Sequence, residues 1–191
     1  MAIGIAVALL IGFWSLNVFS FDKYHKDADR IYRVCFRWVV NNESVVSGEA
    51  VGPVGTTAKE QFPEVEDMTR ILGYGRQMVR IKGTFNYEEI YGSDKNLFKF
   101  FSFKLETGDP QTCLDAPDKI VIDRYLAAKY YAGENPVGQV IVIFGINRQV
   151  SAVMENVPEN SHLKFHMLIP ITADQSNRET GTCYRAAERA A

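Results

Sequence analysis

Residues 31–40 read IYRVCFRWVV. Tyr32, Val34, Phe36, Trp38 and Val40 fall on one side of an extended chain, and Ile31, Arg33, Cys35, Arg37 and Val39 on the other. A period of two sustained over that length predicts a half-buried strand. Upstream, residues 21–30 (FDKYHKDADR) mix both charges and contain neither Gly nor Pro. With Lys23 and Asp27 four apart, this stretch predicts about two turns of helix in water. Further upstream, residues 2–21 (AIGIAVALLIGFWSLNVFSF) carry no charge. A run of about 20 apolar residues matches the roughly 30 Å of a bilayer's hydrocarbon core. Phe13, Trp14, Phe19 and Phe21 gather at one end of it, as an interfacial aromatic belt does. A cleaved secretory signal would need basic residues first and a small-residue cleavage site. Neither is present, so a transmembrane helix over 1–21 is favoured over a signal peptide and over a buried core helix. No basic lead-in precedes the run, which suggests a span cut short at its start.

Downstream, elements are short and mixed. Asn41 to Ser44 make a turn, and Pro53 to Pro63 bracket a weakly amphipathic helix. Residues 64–74, 76–82 and 85–91 read as strands. Ser93 is a candidate N-cap for a short helix ending near Phe101, and Asp123 caps a helix that Gly133 ends. Residues 140–144 are continuously apolar, which predicts a strand buried on both faces; 149–157 and 163–170 are further strands, and apolar content collapses after Ile171. Without long βαβ crossovers this predicts an α+β fold. The layout is a transmembrane helix at 1–21, a helical stalk at 22–30, a core domain at 31–171, and a disordered or unrelated tail at 172–191.

Composition narrows the function. Lys+Arg number 21 against 23 Asp+Glu, which gives no electrostatic case for nucleic acid. Three cysteines, at 35, 113 and 183, form no CxxC pair; a Cys35–Cys113 bridge is allowed but not argued for. Gly52-x-x-Gly55 and Gly73-Tyr74-Gly75 match no phosphate-binding loop, so the chain has no ATPase engine of its own. His162 and His166 have the spacing of a helical metal pair, but no Glu follows His162 and their segment reads as a strand. His25 reads as a solvated side chain. Glu64, Glu66 and Asp67 read as a solvated strand entry. Arg70, Arg76, Arg80, Lys82 and Tyr74 read as a solvent-facing sheet surface rather than an anion groove. Phe98, Phe100, Phe101 and Phe103 read as core. No catalytic, cofactor or metal constellation emerges, so a non-enzymatic protein is expected.

Five segments in order give a more specific reading: FDKYHKDADRIYRV (21–34), EQFPEVEDMTRIL (60–72), IYGSDKNLFKFFSFKLETGDP (90–110), CLDAPDKIVIDRYLAAKYYAGENPVGQVI (113–141) and VMENVPENSHLKFHMLIP (153–170). Together they resemble the extracytoplasmic core domain of MacB/FtsX-like ABC-transporter permeases, in the version common in Bacteroidetes. The resemblance implies a helix in the bacterial cytoplasmic (inner) membrane, an outer α+β domain, further membrane helices, a separate or fused ABC ATPase subunit, a second permease copy and a possible periplasmic adaptor. It implies a domain that transmits ATP-driven conformational change, from a chain that departs from the pattern after Ile171. A single-pass, membrane-anchored ligand-binding or sensor module is the alternative from another class, and an anchored enzyme is a third.

Overall fold

A computed structural model describes residues 2–51, 53–172 and 180–187. Helix α1 (Ala2–Phe19) is followed by a 3-10 turn (Ala28–Arg30), then β1 (Ile31–Val34), β2 (Phe36–Val40), β3 (Glu43–Ser47), β4 (Ala50–Val51), α2 (Pro53–Gln61), β5 (Val65–Ile81) and β6 (Thr84–Ser93). There follow α3 (Leu97–Phe100), β7 (Leu105–Thr107), β8 (Lys119–Asp123), α4 (Arg124–Tyr131), β9 (Val140–Ile143), β10 (Ile146–Met154), β11 (Met167–Pro170) and β12 (Thr180–Ala187). The fold is α+β, as the intermingled short elements predict.

The main sheet runs β1-β12-β5-β6-β11-β8-β10-β7, and β9 pairs with both β10 and β5. The sheet therefore closes on itself through β5, β6, β11, β8, β10 and β9. Strand β5 spans 17 residues and serves two structures. Its first half pairs with β12 and its last residues with β9. The register of β5 on β6 slips between Gly73 and Gly75, leaving Tyr74 as an extra residue. Gly75 sits at φ +68, a conformation cheap only for glycine, and this bulge lets one strand turn from the open sheet into the closed part. The Tyr74 ring lies over Gly92, where a Cβ would come within 2.8 Å of it. One apolar cluster, including Val79, Ile90, Ile122, Ile141, Ile143 and Met167, fills the closed part. A second, including Leu97, Phe101, Leu114, Met154 and Phe165, lies between the sheet and α3.

Helix α4 is built as its sequence predicts: Asp123 Oδ1 accepts from the Leu126 N–H at 2.9 Å, and the chain leaves through Ala132 and Gly133, both at positive φ. Several expectations are corrected. Residues 31–40 are two strands broken at Cys35, because β1 pairs with β12 whereas β2, among the described residues, pairs only with β3. Ser93 ends β6, and Asn96 occupies the N-cap position of α3. Residues 140–144 are not buried throughout: Ile141 and Ile143 are, whereas Val140 and Phe144 are exposed. The last core strand starts at Met167 rather than near 163. The tail is not wholly irregular, since residues 180–187 form β12 inside the sheet, with β1 on one edge and β5 on the other. Its place is set by backbone pairing on both sides, which a count of apolar residues cannot register. Residues 173–179 and 188–191, the rest of that tail, lie outside the described residues.

Helix α1 is 18 residues long and uncharged. Ile3, Leu10, Phe13, Trp14 and Leu16 along it are all exposed. Its rise is about 27 Å at 1.5 Å per residue, against roughly 30 Å of hydrocarbon. Among the described residues, no helix is long and apolar enough to cross a membrane. The helix ends at Phe19 rather than at 21.

Gly108 gives a direct test of the packing. It sits at φ +98, and a Cβ there would lie 2.5 Å from the Ala152 Cβ and 2.8 Å from the Ser151 carbonyl oxygen. Gly108→Ala combines backbone strain with a clash against β10, and is expected to cost about 2–4 kcal/mol. Chemical denaturation would show a lower midpoint; an unchanged midpoint would mean that β7 and β10 separate freely.

Candidate functional site

The chain leaves α1 through Ser20, whose N–H and Oγ both donate to the Asn17 carbonyl at 3.1 and 2.7 Å. Asp22 then takes a left-handed conformation, φ +56, which aspartate tolerates better than most residues. The expected helical stalk over 22–30 is not formed. Residues 20–27 are turns and bends, and only Ala28–Arg30 is helical, as a 3-10 turn. Local propensity loses here because the side chains of this segment find tertiary partners.

Those partners come from two loops. From the loop at 158–163, the Asn160 carbonyl accepts from the Asp22 N–H at 3.0 Å, and Asn160 Nδ2 donates to the Ser20 carbonyl at 3.0 Å. The Asp22 carboxylate accepts from the His162 N–H at 3.0 Å and pairs with His162 Nδ1 at 2.6 Å. Tyr24 OH donates to Ser161 Oγ at 2.8 Å, and Phe21 packs on the His162 ring. From the loop at 101–103, Ser102 Oγ accepts from the Lys26 N–H at 2.9 Å, and the Ser102 N–H donates to His25 Nδ1 at 3.2 Å. The His25 ring sits among Tyr24, Phe101 and Phe103 at centroid distances of 4.0, 4.9 and 5.0 Å. Below the turn, Arg30 reaches β5 through Glu66 at 2.5 Å. A cavity of about 330 Å³ opens beside this junction, bordered by Asp22, His25, Ile31, Arg33, Phe101 and His162.

Burial tunes two groups at the junction. It pushes the Tyr24 hydroxyl up to about 12, opposed by the Ser161 bond and assisted by the Asp22 charge. It lowers His25 below its ordinary value, opposed by Asp22.

The other candidates disperse. His162 faces Asp22, whereas His166 Nδ1 pairs at 2.6 Å with the buried Asp123 that caps α4. Among the described residues no three His, Cys, Asp or Glu side chains gather around a common point. The acidic run at 64–67 is drawn into ion pairs: Glu66 with Arg30, and Asp67 with Lys59 at 2.8 Å. Burial raises the Asp67 carboxyl, but the bonds from Lys59, Asn96 and the Met68 backbone outweigh it and leave it lowered. Arg70 grips Asp94 in a two-pronged pair, and Lys82 pairs with Glu134 at 2.7 Å. Phe98 and Phe101 are buried in the second cluster, with Phe100 and Phe103 against it. Cys35 is exposed, Cys113 is buried, and both are free thiols; burial pushes Cys113 up to about 11. Gly52 lies outside the described residues and Gly55 within α2.

His25 is the main correction. It is not solvated but 5 % exposed. Its burial is hidden from the sequence because its hydrogen-bond partner Ser102 lies 77 residues away in the chain. The aromatic flanks of Ser102 were the one sequence hint of a cage.

The chain matches the sequence pattern described as the MacB-like periplasmic core domain over residues 1–190. It belongs to that family. The MacB-like match takes in β12, so the segment expected to be unrelated is part of the domain. Among solved structures, the chain is similar to a domain assigned to a permease protein from Porphyromonas gingivalis, at 20% identity and TM-score 0.75, covering 87% of this chain and 76% of that one. It is similar to the periplasmic region of MacB from Actinobacillus actinomycetemcomitans, at 13% identity and TM-score 0.56, covering 73% and 65%. The extracellular domain of the noncanonic ABC-type transporter YknZ from Gram-positive bacteria aligns at 12% identity and TM-score 0.62, covering 84% of each chain. At these identities the likenesses carry the fold. No curated protein matches the chain.

Proposed function

We propose that this MacB-like domain works outside the bacterial cytoplasmic membrane as part of an ABC-transporter permease, passing ATP-driven movement from the membrane to the exterior. It is mechanical and not enzymatic. An ABC ATPase subunit supplies the energy, a second permease copy faces the first, and a periplasmic adaptor is a further candidate partner. Helix α1 lies in the bilayer. Its shortfall of about 3 Å is of the size that local thinning absorbs, and its exposed Ile3, Leu10, Phe13 and Leu16 suit lipid.

The observation that carries this reading is the junction. The apolar helix does not end in a free linker: residues 20–26 are bonded to two separate loops of the domain. Movement of α1 is therefore passed to the loops at 101–103 and 158–163. A ligand receptor tethered by a helix, the other reading open to the sequence, gains nothing from such a clamp.

Placement is tested by carbonate washing of membranes from expressing cells. The wild-type chain should stay in the pellet. Leu10→Arg puts a charge mid-helix at about 2.5–3.5 kcal/mol and should shift it to the supernatant. An intact wild-type chain released by carbonate would contradict the membrane assignment.

A further inference from the structure

Of the chain's three histidines, His25 alone is buried. Its Nδ1 accepts a hydrogen bond from the Ser102 N–H. A nitrogen that accepts from a backbone amide carries no proton, so the proton of the neutral ring is on Nε2, which has no hydrogen-bond partner among the described residues. The docked ring is thus held in its neutral form by geometry. Adding a proton at Nδ1 would set two N–H groups against each other and place a charge inside a cage of Tyr24, Phe101 and Phe103.

We propose that His25 is a protonation-sensitive latch: its neutral ring fastens residues 20–30 to the loop at 101–103, and its protonation opens that fastening while the fastening to the loop at 158–163 remains.

The surrounding charges fit. Asp22, on the same segment, is the nearby anion that draws a proton toward the ring. Arg33 from β1 and His162 from the loop at 158–163 border the same cavity. The loop at 101–103 brings only Phe101, Ser102 and Phe103. Burial outweighs Asp22, so docking depresses the histidine. The sign follows: docking is at full strength above the free histidine's ordinary value of 6.5, and weakens as pH falls from there through the lowered docked value. Meanwhile the bond from the Asp22 N–H to the Asn160 carbonyl at 3.0 Å and the bond from Asn160 Nδ2 to the Ser20 carbonyl at 3.0 Å involve no titrating group. Acid therefore turns a two-sided clamp into a one-sided hinge. The latch is a property of the junction and stands whether or not the domain relays ATP-driven movement.

The test is an imidazole NMR titration of the full chain in lipid nanodiscs from pH 8 to 4.5, with the Ser102 amide followed in parallel. The His25 ring is expected to titrate below 6.5, with the Ser102 amide shifting at the same midpoint. His25→Asn supplies a non-titrating acceptor to the same amide. Hydrogen exchange over residues 98–104 should match between the two proteins at pH 7.5. Below pH 6.5 the wild type should exchange faster than the variant, by up to about tenfold per pH unit. Comparing the two proteins at each pH cancels the intrinsic chemistry of exchange. A His25 ring titrating at 6.5 or above, or a Ser102 amide that ignores the titration, overturns the proposal. If His25→Asn does not fold, the wild-type titration alone decides.

Discussion

Phe165→Ala is expected to destabilise the domain by about 3–5 kcal/mol, out of a total of about 5–15 for a domain of this kind. The ring is 2% exposed and lies two residues before β11, wedged between Tyr91 and Phe103 at centroid distances of 6.1 and 5.0 Å. Removing it leaves a void in the second apolar cluster, whose other members sit on β5, β8, β10, β11, the α3 region and the loop before β8 and cannot all close inward. For a domain of this size the thermal midpoint should fall by about 6–20 °C. The loss should spread to the junction, because Phe103 touches both Phe165 and His25. A midpoint lowered by less than about 3 °C would show that the cluster collapses around the gap.

The second large effect is functional. Asp22→Gly combined with Asn160→Ala removes the side-chain bonds that Asp22 and Asn160 make between the helix exit and the loop at 158–163, leaving the Asp22 N–H to Asn160 carbonyl bond and the Tyr24–Ser161 bond. Glycine at 22 keeps the positive φ without strain. The lost pairs are partly exposed, so each is worth about 1 kcal/mol or less, and the domain should melt within a few degrees of wild type. Placed in the intact permease, the double variant should keep ATP hydrolysis by the partner subunit and lose at least about tenfold in transport output. Full output with the clamp weakened in this way would favour the tethered receptor over the relay.

The sequence made some of this legible and hid the rest for physical reasons. Local rules held at α4, where Asp123, Leu126 and Gly133 specify both ends within one segment. They held less well along β5, where the glycines of Gly73-Tyr74-Gly75 read as a break between strands but form a bulge inside one. They failed at β12, whose place depends on backbone pairing with strands more than 100 residues earlier. They failed most at the junction. Residues 22–30 contain no helix breaker, yet Asp22, Tyr24 and His25 are claimed by Asn160, Ser161, His162 and Ser102, which no local pattern connects to them. The family resemblance was readable because it rests on segments in order rather than on any single contact.

The rigidity of the junction is the central claim, and a distance measurement tests it most directly. With Cys35, Cys113 and Cys183 replaced by alanine, spin labels at exposed Leu10 on α1 and exposed Tyr125 on α4 report the separation of helix and domain in nanodiscs at neutral pH. The clamp predicts one narrow distance peak, no broader than that of two labels placed within the domain, and broadening in the Asp22→Gly, Asn160→Ala variant. A broad wild-type distribution that the variant leaves unchanged would contradict it.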